Sequence, residues 1–175
     1  SAEPALISAQ QSVKGIQKKQ LDEMRALARP PENVRLTLEA VAVMLGERKL
    51  EWGEVRKMLQ RSDFIASILD FDLDKLGDKQ IKIVKEKYLS TENFNEDTVM
   101  RSSKACGPLF IWVNSQISYS EIFNKVEPLR AEVKQLQTDA EEAMIKKDQL
   151  DKEVKILEER IQGLKNDYAE LIREV

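Results

Sequence analysis

Histidine is absent from the 175-residue sequence, and cysteine occurs once, at Cys106. Without histidine, neither a Ser-His-Asp triad nor a Cys-His dyad can form. One cysteine cannot make an intramolecular disulfide, and no segment has the apolar run of a signal peptide or of a membrane span. We therefore expect an intracellular, soluble protein in which Cys106 is a small buried hydrophobic residue and not a nucleophile.

Glycine, proline and aromatic residues are also scarce, with 6 Gly, 5 Pro and 6% aromatic content. The sequence has no phosphate-binding loop, no glycine-rich dinucleotide turn and no metal-ligand cluster. The adjacent carboxylates Glu141 and Glu142 fall on the polar face of a predicted helix. We therefore expect this chain to have no catalytic activity, cofactor or metal of its own.

Charge of one sign is not in excess, because 28 Lys and Arg face 31 Asp and Glu. A net charge of −3 gives no basic signal for nucleic acid. Long stretches rich in Ala, Glu, Lys, Leu and Gln favour helix over strand. The composition therefore predicts an all-α chain with one small core and much solvated helix, and any charged partner must be recognised by a local patch.

The last third of the chain has the clearest periodicity. Apolar residues recur there at alternating spacings of three and four, which is the heptad pattern of a coiled coil, and only Lys147 interrupts it. The heptad residues are Val126, Leu129, Val133, Leu136, Ala140, Ala143, Leu150, Val154, Leu157, Ile161, Leu164, Tyr168, Leu171 and Val175.

The N-terminal segment is helical in pattern, but its apolar stripe changes phase. Leu6, Ala9, Val13 and Ile16 share one stripe, and the next apolar position, Leu21, follows only after a five-residue step. One interpretation is the ordinary irregularity of a short polar helix. The other is a helix that tolerates two registers against its partner, since Gln and Lys at seam positions weaken the preference for either.

The middle of the chain reads as a compact set of helices. Pro30 and Pro31 end the first helix, and a mostly apolar helix then runs from Glu32 to a C-cap at Gly46. Further helices are predicted over residues 52–59, from an N-cap at Ser62, from Asp74 or Asp78, over residues 96–103, and from Pro108 into the C-terminal coil, with Pro128 as a kink or break.

Coil-forming segments at both ends of this region predict an antiparallel hairpin with the globular part at its tip. The two arms differ in length, because about 25 residues give roughly 37 Å of helix and about 50 give roughly 75 Å. We interpret the chain as a piece whose first helix is cut short. We expect the seam over residues 150–175 to self-associate or to lie against a second copy.

Four segments resemble the microtubule-binding domain of cytoplasmic dynein heavy chains and the adjoining stalk helices. They are QLDEMRALARPPENVRLTLEAVAVMLG (20–46), DFIASILDFD (63–72), RSSKACGPLFIWV (101–113) and YSEIFNKVEPLRAEV (119–133). The short connection between Trp52 and Phe64 lacks the inserted flap of several axonemal dyneins.

This resemblance implies about six helices at the tip of an antiparallel coiled coil. Residues 1–29 would be the first stalk helix, residues 30–119 the globular domain and residues 120–175 the second stalk helix. It implies a cytoplasmic, cytoskeleton-associated protein that binds the groove between α- and β-tubulin. The stalk helices would slide between registers to report the nucleotide state of a distant ATPase ring. The alternative is a coiled-coil adaptor whose helical domain docks another protein.

The resemblance also implies a basic face toward acidic tubulin, although residues 30–118 contain 13 Lys or Arg and 14 Asp or Glu. The predicted microtubule-binding residues are Arg35, Arg61, Arg101 and Lys104, with Arg56, Lys57 and Lys125 added. Glu39 and Asp97 lie one helical turn from Arg35 and Arg101, and we expect them to restrain these side chains as an electrostatic brake.

Overall fold

The computed structural model describes residues 2–174, whose regular secondary structure is entirely helical. The all-α class predicted from composition is confirmed. The helices are α1 (Ala2–Lys14), α2 (Lys18–Arg25), α3 (Glu32–Met44), α4 (Trp52–Gln60), α5 (Phe64–Leu69), α6 (Asp78–Ile83), α7 (Glu96–Ser102) and α8 (Cys106–Glu174), with a 3₁₀ turn at Leu73–Lys75 and a π-helical turn at Val84–Leu89.

The chain divides into two compact units, Ser1–Asn124 and Lys125–Val175, and the division falls within α8. None of the helices formed by the described residues combines the length and the apolar character needed to cross a membrane.

Helix α3 lies at the centre of the first unit, as its apolar sequence predicts. Val34, Leu38 and Val41 are fully buried, and the helix contacts α4, α6, α7 and the π-helical turn. The first turns of α8 add Leu109 and Trp112, which are also fully buried. Each such side chain contributes about 1.5 to 3 kcal/mol by leaving water, so this cluster supplies much of the stability of the unit.

Gly46 ends α3 as predicted, with a positive φ of 84°. Its amide donates to the Val43 carbonyl at 3.1 Å, and the Glu47 amide donates to the Ala42 carbonyl at 2.9 Å. This pair of bonds is the Schellman motif, which satisfies carbonyls that the helix itself leaves unpaired. Gln80 fixes the following chain to this end, because its Nε2 donates to the Val43 carbonyl at 2.9 Å.

The predicted start of α5 needs correction, whereas the next helix starts at one of its two predicted positions. The residue that caps α5 is Asp63, one position after the predicted Ser62, because the main chain turns between Arg61 and Phe64 before the helix begins. Of the two predicted starts of the next helix, Asp78 opens α6 and Asp74 lies in the 3₁₀ turn.

The N-terminal segment forms two helices, not one. Gly15 ends α1, and the break before α2 coincides with the change of phase in the apolar stripe. Ala9 and Val13 are 1% and 0% exposed, and α1 packs against α5 within the first unit. Leu21 and Met24 bury the corresponding face of α2. Each phase of the stripe therefore belongs to a separate helix.

The second unit is the helical stretch from Lys125, in which every described residue from 128 onward is exposed. Leu129, Leu150 and Leu157 are 61%, 59% and 56% exposed. Pro128 lies inside α8, and the helix continues past it although proline lacks an amide donor. The predicted heptad stripe is therefore exposed on this unit from Leu129 to Leu171, and its last member, Val175, lies outside the described residues.

Candidate functional site

Arg35 and Glu39 form an ion pair on α3. Arg35 Nη1 lies 2.7 Å from Glu39 Oε2, and the two side chains are 43% and 11% exposed. Glu39 faces the π-helical turn, where burial raises the pKa of Tyr88 and the negative charge of Glu39 raises it further. The arginine therefore reaches solvent while the carboxylate that holds it is nearly enclosed.

Two more of the predicted cations, both near the end of α4, are also paired with carboxylates. Arg61 Nη1 lies 2.7 Å from Glu47 Oε1, which ties the end of α4 to the turn after α3. Lys57 Nζ lies 3.1 Å from Glu54 Oε1 along α4. Exposed pairs of this kind contribute little to stability, so both cations can exchange partners at low cost.

Arg56 has a structural contact that its sequence position did not predict. Its Nε donates to the Arg25 carbonyl at 3.1 Å, while Arg25 Nε donates to the Leu59 carbonyl at 2.5 Å and Trp52 Nε1 donates to the Leu27 carbonyl at 2.9 Å. These bonds hold the C-terminal end of α2 on α4. The sequence signal for them was indirect: the last carbonyls of a helix need donors from outside it.

Arg101 and Lys104 lie at a cleft that the sequence analysis did not predict. The capping box at Asn95, whose Oδ1 accepts from the Thr98 amide at 3.0 Å, fixes the start of the short helix that carries Arg101. The cleft has a volume of about 650 Å³ and lies between α2 and the junction of α7 with α8. Its charged lining residues are Lys19, Glu23, Arg101 and Lys104.

Lys19 is therefore a cation that the sequence analysis missed, because only the fold brings α2 next to α7. Three positive charges against one carboxylate make the cleft locally basic on a chain of net charge −3. Asp97 does not neutralise it directly, since Asp97 and Arg101 form no ion pair in the part of the chain that the structure describes.

Cys106 lies behind this cleft at the start of α8 and is fully buried. Its Sγ lies 3.1 Å from Met24 Sδ, and burial raises the pKa of the thiol to about 12. A thiol that stays protonated is not a nucleophile. Residues 2–174 also contain no group of three or more His, Cys, Asp or Glu side chains placed to hold a metal ion.

The remaining predicted residues lie at the ends of the globular part. Pro31 immediately precedes α3, and its carbonyl accepts from the Arg35 amide at 3.0 Å, so the Pro30 and Pro31 pair sets where α3 begins. Lys125 and Pro128 belong to the second unit. Lys125 is exposed there.

Residues 1–173 match the family model described as the microtubule-binding stalk of the dynein motor. The chain belongs to this dynein stalk family. The family resemblance carried by the four sequence segments is thereby confirmed, and the matched region is the stalk of the motor, a non-catalytic region. Which side chains of this dynein stalk meet the microtubule stays a prediction.

Cytoplasmic dynein heavy chains are among its relatives. The chain is 45% identical over 174 residues to the one from Dictyostelium discoideum and 37% identical over 174 residues to the one from Saccharomyces cerevisiae. Each match covers 99% of this chain and 4% of the relative, so the dynein stalk spans a small part of these proteins.

A solved structure titled "Microtubule Binding Domain of DYNEIN-C" is similar to this dynein stalk in fold. The TM-score is 0.64 at 26% sequence identity, covering 73% of this chain and 90% of that one. The small helical bundle is therefore the fold of this family.

Proposed function

We propose that this dynein stalk binds the acidic groove between α- and β-tubulin through the exposed cations of its first unit. The observation that carries the proposal is the basic cleft, where Lys19 of α2 faces Arg101 and Lys104 at the junction of α7 with α8 and the three cations outnumber the single carboxylate. Complementary charge steers association and fixes orientation on a charged partner. Cations held by helices on either side of a cleft suit a ridged filament surface.

The other predicted cations support this interface to different degrees. Arg35 is partly exposed and its ion-pair partner among the described residues is Glu39, so it can transfer to a carboxylate of tubulin. Arg61 and Lys57 have exposed partners that tubulin can replace. Arg56 donates to the Arg25 carbonyl, and we assign it to positioning α2. Lys125 belongs to the second unit, and its place in the proposal rests on the family resemblance alone.

The test is microtubule co-sedimentation of Arg101→Ala over a range of salt concentrations. Losing this cation should weaken binding about fivefold at low ionic strength, about 1 kcal/mol, and should flatten the salt dependence because one screened attraction is gone. Lys82→Ala is the matched control, since Lys82 is an exposed cation of α6 away from the cleft. Equal affinity and an unchanged salt profile for Arg101→Ala would remove it from the interface.

We further propose that affinity is controlled by sliding of the stalk helices between registers. The break at residues 15–17 supports this, because it separates α2 from the helix before it. Since α2 supplies Lys19 to the cleft, an axial movement of α2 changes its spacing from Arg101 and Lys104. Stalks cross-linked by disulfides in two registers should differ in microtubule affinity at least tenfold, whereas equal affinities would contradict control by register.

In this proposal residues 1–29 and 120–175 are the stalk helices of a cytoplasmic, cytoskeleton-associated motor whose nucleotide sites lie outside this chain. We also propose that the seam over residues 150–175 self-associates. Its apolar side chains support this, since Leu150, Val154 and Leu157 are each at least half exposed at heptad spacing.

A further inference from the structure

The side chain of Met100 lies directly against Gly107. A Cβ atom on Gly107 would lie 2.3 Å from Met100 Cε and 2.6 Å from Met100 Sδ, distances at which atoms overlap. The thioether therefore occupies the space that any other residue at position 107 would need. This contact joins the end of α7 to the first turn of α8, on either side of the turn that carries Lys104.

Met100 also differs from the other methionines in its exposure. Met24, Met44 and Met58 are at most 2% exposed, whereas Met100 is 38% exposed and Met144, in the second unit, is 67% exposed. Cys106 is fully buried. Among the methionine and cysteine side chains of residues 2–124, that of Met100 is therefore the one exposed to an oxidant in solution, and it lines the cleft beside Arg101.

We infer that Met100 is an oxidation site for hydroperoxides and that its conversion to the sulfoxide weakens the binding of microtubules at the cleft. The thioether sulfur attacks the terminal peroxide oxygen, the S–O bond forms and the O–O bond breaks. The sulfur loses two electrons, and the hydroperoxide is reduced to water or an alcohol. Methionine sulfoxide reductases reverse the change.

The packing explains why the sulfoxide would matter. The added oxygen is polar and needs room and water, whereas Met100 Sδ now lies 2.6 Å from the point that a Cβ atom on Gly107 would occupy. To hydrate the oxygen, the side chain must leave Gly107, and the end of α7 loses its contact with α8. Arg101 and Lys104 then change their spacing, so the inference rests on the proposed role of these cations.

The experiment compares wild type, Met100→Leu and Met144→Leu before and after treatment with hydrogen peroxide. Mass spectrometry gives the oxidised positions, thermal unfolding gives the effect on the fold, and co-sedimentation gives microtubule affinity. Wild type and Met144→Leu should lose affinity at least fivefold and unfold at a lower temperature once residue 100 is oxidised. Met100→Leu should have the same microtubule affinity and unfolding temperature after treatment as before it. A methionine sulfoxide reductase should restore both properties of the oxidised wild type.

Gly107→Ala provides a second test that needs no oxidant. The alanine Cβ displaces the Met100 side chain, so the untreated variant should show the same loss of affinity as the oxidised wild type. A loss on oxidation that is as large in Met100→Leu as in wild type would overturn the inference, and so would an unoxidised Met100 after Met144 has reacted completely. Failure of the untreated wild type to bind microtubules would instead reject the proposed function, while the thermal shift still tests the Met100 contact.

Discussion

The Glu39 carboxylate holds the Arg35 guanidinium at 2.7 Å from a nearly enclosed position, with 11% of its side chain exposed against 43% for the arginine. Asp97 and Arg101 have the same four-residue spacing but form no ion pair among the described residues. Helical spacing places two side chains on one face, whereas the surrounding packing decides whether they meet.

The Arg35–Glu39 pair predicts a stronger brake than Asp97 provides. Glu39→Gln keeps the shape of the side chain but removes its charge, so Arg35 is freed for tubulin and affinity for microtubules should rise about threefold or more.

Asp97→Lys should also tighten binding, because it adds a cation near the cleft. Co-sedimentation at low salt measures both changes.

Glu121→Gln is the control for the brake, since it releases Lys85 from an ion pair of 2.7 Å outside the predicted interface. Its affinity should stay at the wild-type level. An unchanged or weaker affinity for Glu39→Gln would show that Arg35 is not restrained by Glu39.

The buried Cys106 thiol predicts a loss of stability at alkaline pH. Its pKa is raised from 9.0 to about 12 in the folded protein, so above pH 9 the unfolded chain releases a proton that the folded chain keeps. The thiol's contribution is complete below pH 9 and declines as the pH rises toward 12. At pH 10 the loss should be about 1.4 kcal/mol.

Urea unfolding of wild type and Cys106→Ala at pH 7 and pH 10 measures this term. Other groups titrate in both proteins, so the difference in free energy of unfolding between them isolates Cys106. That difference should shrink by about 1.4 kcal/mol between the two pH values. A difference that does not vary with pH would mean that the thiol ionises equally in both states.

The exposed heptad stripe predicts self-association of the second unit. Light scattering should show a mass above that of one 20.1 kDa chain as concentration rises, because apolar seams gain free energy by pairing. Replacing Leu157 and Leu164 by Asp should restore the monomer, and the same change at the polar positions Gln149 and Glu159 should not. A wild type that stays monomeric at high concentration would contradict the proposal.

Local sequence rules predicted the helical bundle well. Pro31 and Gly46 set the two ends of α3 because each acts through its own main chain, and the apolar content of α3 was enough to place it in the core. Together, the four segments 20–46, 63–72, 101–113 and 119–133 were also sufficient to identify the family. These signals depend on neighbours within a few residues.

The cleft and the N-terminal helices depended on contacts between distant residues, and the sequence analysis missed them. Lys19 is 82 positions before Arg101, and nothing near either residue indicates that they share a cleft. The packing of α1 on α5 and the bonds from Trp52 and Arg25 to main-chain carbonyls likewise follow from tertiary structure. Periodicity shows which face of a helix is apolar but does not name the element that covers it.

The π-helical turn at Val84–Leu89 accommodates an extra residue within a helical stretch. Deleting one residue there would let the ordinary α-helical pattern resume and would rotate everything beyond the deletion by about 100°. Tyr88 would swing away from the interior, and the chain leading to Asn95 would leave in a different direction. Because α3 packs against both this turn and α7, an insertion or deletion at the turn would re-aim α7, together with its arginine, and repack the surroundings of the core helix.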